Sequence, residues 1–255
     1  MITRCTPAIV ATILATGLSG CVTVDPRPDY DRLSITVQEA VGKPVIYRPD
    51  QDPTIQQKSL ELIDDGLTVE EAVQIALLNN PKVWAAMLRT GMARADVVQA
   101  RLFSNPTLGL AFMFPEGGGL SQLDVGLAQN IADLWMIPAR TNVAQHDLDR
   151  GLLEAARESV EIANGTKMAY FNAVAAQEAY EISQDNLKLV ERLLDVTKSR
   201  QEAGAVGELD VNLVRGLVLS AQVEVRNARL ARAAAKRTLA TLMGIDHDGG
   251  CPIRS

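Results

Sequence analysis

The amino-acid sequence predicts a mainly α fold: a long antiparallel α-helical hairpin of coiled-coil-like texture with one inserted transmembrane β-hairpin. Three observations predict it. Apolar residues recur at spacings of 3 and 4 through residues 138–203 and again through 208–243, the pattern of helices packed lengthwise. Residues 107–129, TLGLAFMFPEGGGLSQLDVGLAQ, alternate instead with period 2 around a glycine-rich turn. Hydrophobic residues make up 47% of the chain but aromatics only 4%. Small side chains on that scale favour close helix–helix contact over one thick globular core.

In chain order, residues 22–66 hold Pro26, Pro28, Pro44, Pro49 and Pro53 among many polar residues. They read as an extended tether with one short ordered piece near residues 35–41. Thr68 followed by Glu71 is a capping box that opens a helix over 68–78. Asn79-Asn80-Pro81 ends it and starts a second helix, 81–103, with Asn80 as N-cap and Pro81 at the first helical position.

Asn105-Pro106 stops that helix. Leu108, Leu110, Phe112 and Phe114 then fall on one face of a strand, and Leu123, Val125 and Leu127 on the same kind of face of a return strand. The opposite faces, Thr107, Gly109, Ala111 and Met113 on the first strand and Asp124, Gly126 and Ala128 on the second, are mainly small or polar. That asymmetry matches a barrel strand with lipid on one side and a wet lumen on the other. Asp124 reads either as lumen-facing, biasing ion passage, or as an ordinary solvated acid near a turn.

A helix over 138–203 follows, with one seam of Leu187, Val190 and Leu194 and a second of Leu189, Leu193 and Val196. Two seams imply neighbours on two sides. Gly165 marks either a close-packing point, as does Gly151, or a turn that splits the helix. Gly204-Ala205-Val206-Gly207 makes a tight reversal into a last helix, 208–243, whose seam through Val214, Val218, Ala221, Val225 and Ala228 is interrupted by Arg232. At 1.5 Å per residue the three helices would measure roughly 35, 100 and 54 Å, far longer than a globular core needs.

The first residues indicate the compartment. Arg4 precedes an apolar run over 7–18, too short for an ordinary membrane helix and suited to a signal peptide over 1–20. It ends in Leu18-Ser19-Gly20-Cys21, which resembles a bacterial lipobox and makes Cys21 the lipidated first residue of a tether, 21–66. Val22 stands where an aspartate would signal inner-membrane retention. Cys5 leaves with the signal and Cys251 then stands alone, so no internal disulfide framework is available.

Three stretches carry a family resemblance: LTVEEAVQIALLNNP (67–81), LFSNPTLGL (102–110) and RQEAGAVGELDV (200–211). In this order and spacing they resemble the TolC family of outer-membrane efflux and secretion channels. The resemblance implies a homo-oligomer, trimeric in the family, with a twelve-stranded barrel continued by a helical tunnel across the periplasm. It implies a passive conduit in a tripartite efflux or type I secretion system, partnered by a periplasmic adaptor, an inner-membrane pump and outer-membrane lipids. The adaptor would dock at the reversal, on Arg200, Gly204, Ala205, Val206, Gly207 and Asp210. For Arg200 and Asp210, turn chemistry with a surface ion pair is the other reading. Family members often carry a hydroxyl N-cap where Gly207 stands.

Family members hold two such units in tandem, whereas residues 67–244 form one, followed by a polar tail, 245–255. Either the chain is a truncated fragment or it is a half-length channel protein. Strand edges cannot face lipid unpaired, so in the second case a twelve-stranded barrel would take six copies. The reading from another class is a periplasmic coiled-coil scaffold or adaptor lipoprotein without a pore.

Other functions find no support. A net charge of -6 does not suit nucleic acid, which needs a basic patch. His146 and His247 belong to no metal-ligand spacing. Without a P-loop, a dinucleotide fingerprint or a nucleophile elbow, no enzyme activity, cofactor or metal is expected.

Overall fold

A computed structural model describes residues 22–42, 46–49, 67–113 and 121–245. Its elements are α1 (Arg27–Val41), α2 (Val69–Asn79), α3 (Pro81–Ala100), β1 (Thr107–Met113), β2 (Gln122–Ala128), α4 (Asp133–Glu202) and α5 (Glu208–Met243). The class is the one the sequence predicts: mainly helical, with one two-stranded antiparallel β-hairpin. Contacts divide the described residues into two compact units, those within 22–29 and 90–151 and those within 30–89 and 152–245.

In the first unit, the segment read as a tether contains ordered structure. Helix α1 begins at Arg27, and Asp29 in its first turn is wholly buried. The Arg94 guanidinium donates to both Asp29 carboxylate oxygens, Nε to Oδ2 at 2.5 Å and Nη2 to Oδ1 at 2.6 Å. A buried carboxylate needs such a partner. Prolines and polar residues mark the local chain as extended; a partner 65 positions away overrides that signal.

Helix α4 begins at Asp133, five residues before the position predicted from Pro138, and runs 70 residues with Pro138 inside it. Proline cannot donate to the carbonyl four residues back, which made it look like a first helical position. The extra turn is held otherwise. Asn130 Oδ1 accepts the Ala132 N–H at 3.1 Å, and the Ala132 carbonyl accepts the Trp135 and Met136 N–H groups, both at 3.1 Å. Asp133, nearly buried, takes the Ser104 N–H at 2.8 Å and its hydroxyl at 2.7 Å.

The second unit is built on small side chains. Ala72, Ala76, Ala86, Ala155, Ala163, Ala169 and Ala173 are all buried, beside Leu67, Ile75, Leu77 and Met87. Helix α2 opens on the reciprocal cap read from the sequence: Glu71 N–H donates to Thr68 Oγ1 at 3.3 Å, and Thr68 N–H to Glu71 Oε2 at 2.8 Å. Asn80 Oδ1 accepts the Lys82 N–H at 2.9 Å, capping α3. Helices α2 and α5 pack together, and the Tyr170 hydroxyl bonds the Leu67 carbonyl at 2.8 Å.

Helix α4 is continuous through Gly151 and Gly165, so neither splits it. A Cβ at either position would meet nothing within 4 Å. The close-packing role expected of them is therefore absent among the described residues. The interruption at Arg232 is resolved by a cation–π contact: its guanidinium lies 4.2 Å from the Tyr180 ring centroid. Of the two predicted seams on α4, Leu187, Val190 and Leu194 are half-buried. Leu189, Leu193 and Val196 remain exposed, at 64%, 46% and 57%.

Candidate membrane hairpin and helical reversal

Period-2 alternation fixes which side chains share a face, but the pairing register decides which ones meet. Here Leu108 lies opposite Leu127, Leu110 opposite Val125, and Phe112 opposite Leu123. Three cross-strand apolar pairs thus stack along one face, and every one of the six side chains is more than half exposed. The other face pairs Thr107 with Ala128, Gly109 with Gly126, Ala111 with Asp124, and Met113 with Gln122. Phe114, assigned to the apolar face, lies outside the described residues, as does Cys21.

An antiparallel pair fully exposed on both faces is marginal in water. The hairpin is tied down at its helical end. Asp133 holds Ser104 by the two bonds described above, Arg140 Nη2 lies 3.2 Å from Asp133 Oδ1, and Gln129 Nε2 donates to the Ser104 carbonyl at 2.9 Å. The Ser104 hydrogen bonds, with the Arg140 charge adding to them, hold the Asp133 carboxyl below its ordinary range. Farther along the same unit, the Asp29 hydrogen bond raises the Arg94 guanidinium above its usual value.

Sequence reading missed a further apolar group near that end. Phe103, Ile131 and Trp135 are 54%, 68% and 74% exposed. Aromatic residues just outside an apolar strand band are the signal that would have found them. Among the described residues, no helix is long and apolar enough to cross a membrane.

The reversal between α4 and α5 is a Schellman motif. Gly204 sits at φ 74°, donating to the Gln201 carbonyl at 2.8 Å while Ala205 N–H reaches the Arg200 carbonyl at 2.8 Å. Gly207 opens α5 from an extended conformation, φ -86°, and its N–H donates to Asp210 Oδ2 at 3.0 Å. That is half of a capping box; glycine has no side chain for the other half. Asp210 is committed to this cap, and no Arg200–Asp210 ion pair forms among the described residues. Arg200, Gly204, Ala205, Gly207 and Asp210 are exposed and Val206 is half-buried. The loop and the helix turns flanking it therefore offer these five solvent-facing positions on a backbone held by its own hydrogen bonds.

The comparisons with known proteins agree with this architecture. "Probable efflux pump outer membrane protein TtgC" of Pseudomonas putida is 25% identical over 245 residues, 89% of this chain and 50% of that protein. Nodulation protein T of Rhizobium leguminosarum bv. trifolii is 27% identical over 183 residues, 68% of this chain and 39% of that protein. Among solved structures, CusC superposes with a TM-score of 0.65 at 15% identity, over 77% of this chain and 48% of that one; this likeness concerns the fold alone. The chain spans about half the length of the curated relatives it matches. The description of outer membrane efflux proteins matches residues 72–245, more than half of the chain, which therefore belongs to the outer membrane efflux protein family.

Proposed function

We propose that this chain contributes to an outer-membrane conduit of a tripartite efflux or type I secretion system, with its hairpin in the lipid and its helices reaching into the periplasm. The reading is carried by the hairpin register, which stacks six exposed Leu, Val and Phe side chains on one face and, Met113 apart, small or polar ones on the other. Lipid would take the first face and a water-filled bore the second. The free strand edges must be paired by strands outside this hairpin, because no unpaired edge is stable in hydrocarbon. Homo-oligomerisation, trimeric in the family, supplies such strands, and the exposed Leu189, Leu193 and Val196 supply apolar surface for neighbouring helices. No bond chemistry is involved; the family is one of channels, not enzymes.

Three finer assignments belong to the same reading. Residues 1–20 act as a signal peptide, and Cys21 carries lipid that holds the tether at the outer membrane. Arg200, Gly204, Ala205, Val206, Gly207 and Asp210 form the tip that meets a periplasmic adaptor, which in turn engages an inner-membrane pump. Phe103 and Trp135 lie at the periplasmic headgroup level, where aromatic side chains are favoured.

Single-channel recording of the purified, detergent-extracted protein in planar bilayers tests the conduit. Discrete conductance steps are expected, with heat-modifiable migration of the oligomer in detergent gels. A protein that releases from membranes on lipid-anchor cleavage and conducts nothing is instead a pore-free periplasmic scaffold or adaptor. For the tip, replacing Ala205 and Val206 by aspartate should abolish export while leaving membrane insertion intact; normal export removes the tip assignment.

A further inference from the structure

Charge on the hairpin is one-sided. From Leu102 to Ala132 the sequence contains two ionisable side chains, Glu116 and Asp124, and no lysine, arginine or histidine. Asp124 is the single charged residue of the two paired strands. It lies on the face opposite the Leu and Phe pairs, directly across from Ala111, with Gly126 and Gln122 beside it on its own strand. These neighbours supply no countercharge, and Asp124 is exposed.

From this we infer that Asp124 sets the ion preference of the conduit, lining its bore with carboxylates that favour cationic over anionic solutes. The inference rests on the proposed channel and goes beyond it by naming a selectivity residue and the charge class that passes. A carboxylate facing lipid is disfavoured, so the strand alternation that turns Leu123 and Val125 outwards turns Asp124 to water. Each copy adds one carboxylate at the same height, and low-dielectric walls focus the field of such a ring. Because the hairpin has no base, nothing within it cancels that field.

The test is the reversal potential of the purified protein in planar bilayers under a tenfold potassium chloride gradient. The parent channel should show a cation-selective potential. Asp124→Asn should lower the potassium-to-chloride permeability ratio several-fold, and Asp124→Lys should invert the selectivity. Equal reversal potentials for parent and Asp124→Asn would overturn the assignment while leaving the channel intact. Absence of any conductance from the parent would remove the channel and this inference together. Should the lysine variant not assemble, thiol labelling in membranes decides. In a Cys251→Ser background, Asp124→Cys should react with a water-soluble methanethiosulfonate, and Gly126→Cys, which keeps Asp124, should react faster with the cationic than with the anionic reagent. Leu110→Cys should be protected from both. Equal cationic and anionic rates at Gly126→Cys would also overturn it.

Discussion

Asn80 Nδ2 donates to the Leu242 carbonyl at 2.8 Å, joining two residues 162 positions apart. The same side chain caps α3 through Oδ1, so one buried amide serves a helix start and a helix end. The approach is close: Gly244, at φ 68°, closes α5 so tightly against Asn79 that a Cβ there would lie 2.5 Å from the Asn79 carbonyl oxygen. The Asn-Asn-Pro break thus serves as the docking point for the end of the last helix.

Asn80→Ala should lower stability by about 2 kcal/mol, since it removes a cap and leaves the Leu242 carbonyl without its donor. Asn80→Asp retains an acceptor for Lys82 N–H but loses the donor, so it separates the two roles. Thermal unfolding followed by circular dichroism in detergent measures both. An alanine variant as stable as the parent would contradict the role given to this contact.

Gly244→Ala combines an unfavourable left-handed conformation with a steric clash against backbone, and should destabilise by more than 1 kcal/mol. Gly165→Ala should do the opposite. Its site is helical and open, so alanine should stabilise by roughly 1 kcal/mol. The pair of melting temperatures, moving in opposite directions, checks the local geometry at both glycines.

Arg94→Met leaves the buried Asp29 carboxylate unpaired, at a cost of about 3 kcal/mol to the structure that buries it. The loss should be local, since α1 enters this unit only through its first turn. Hydrogen exchange should show α1 amides losing protection while those of α4 keep theirs. Unchanged protection in α1 would mean that Arg94 does not hold it.

Asp133 has a folded-state pKa below its ordinary value of 3.8. The sign follows from linkage: the unfolded chain binds the proton more readily, so this carboxylate adds stability above the unfolded value. That stability is lost as the pH falls below 3.8 and through the folded value. Asp133→Asn should therefore flatten the acid limb of a stability-versus-pH curve and leave the limb above pH 6 parallel to the parent's. An identical acid limb in both proteins would remove Asp133 from the linkage.

Gly207→Ser tests the incomplete cap at the reversal. The backbone there is already extended and a Cβ would meet only Asp210 Oδ2, at 3.8 Å. A serine hydroxyl can accept the Asp210 N–H and complete the box, adding a few tenths of a kcal/mol. Chemical denaturation has the precision to detect it as a shift in midpoint without a change in slope.

What the sequence determined by itself is what neighbours along the chain decide. Thr68 and Glu71 cap α2 reciprocally because they are three residues apart; Leu108, Leu110 and Phe112 share a face because strands alternate; Gly204 reverses the chain because it tolerates a positive φ. These features need no distant partner, and they sufficed for the fold class and the family resemblance. The tertiary structure decided the rest. Helix α4 starts at Asp133, not at Pro138, because Ser104 is brought beside its carboxylate. Helix α1 forms within a proline-marked segment because Arg94 neutralises Asp29. Leu187, Val190 and Leu194 are half-buried while Leu189, Leu193 and Val196 stay open, although both sets have helical spacing. Periodicity records that a side chain is apolar and which way it faces, but only packing across long sequence separations determines what, if anything, lies against it.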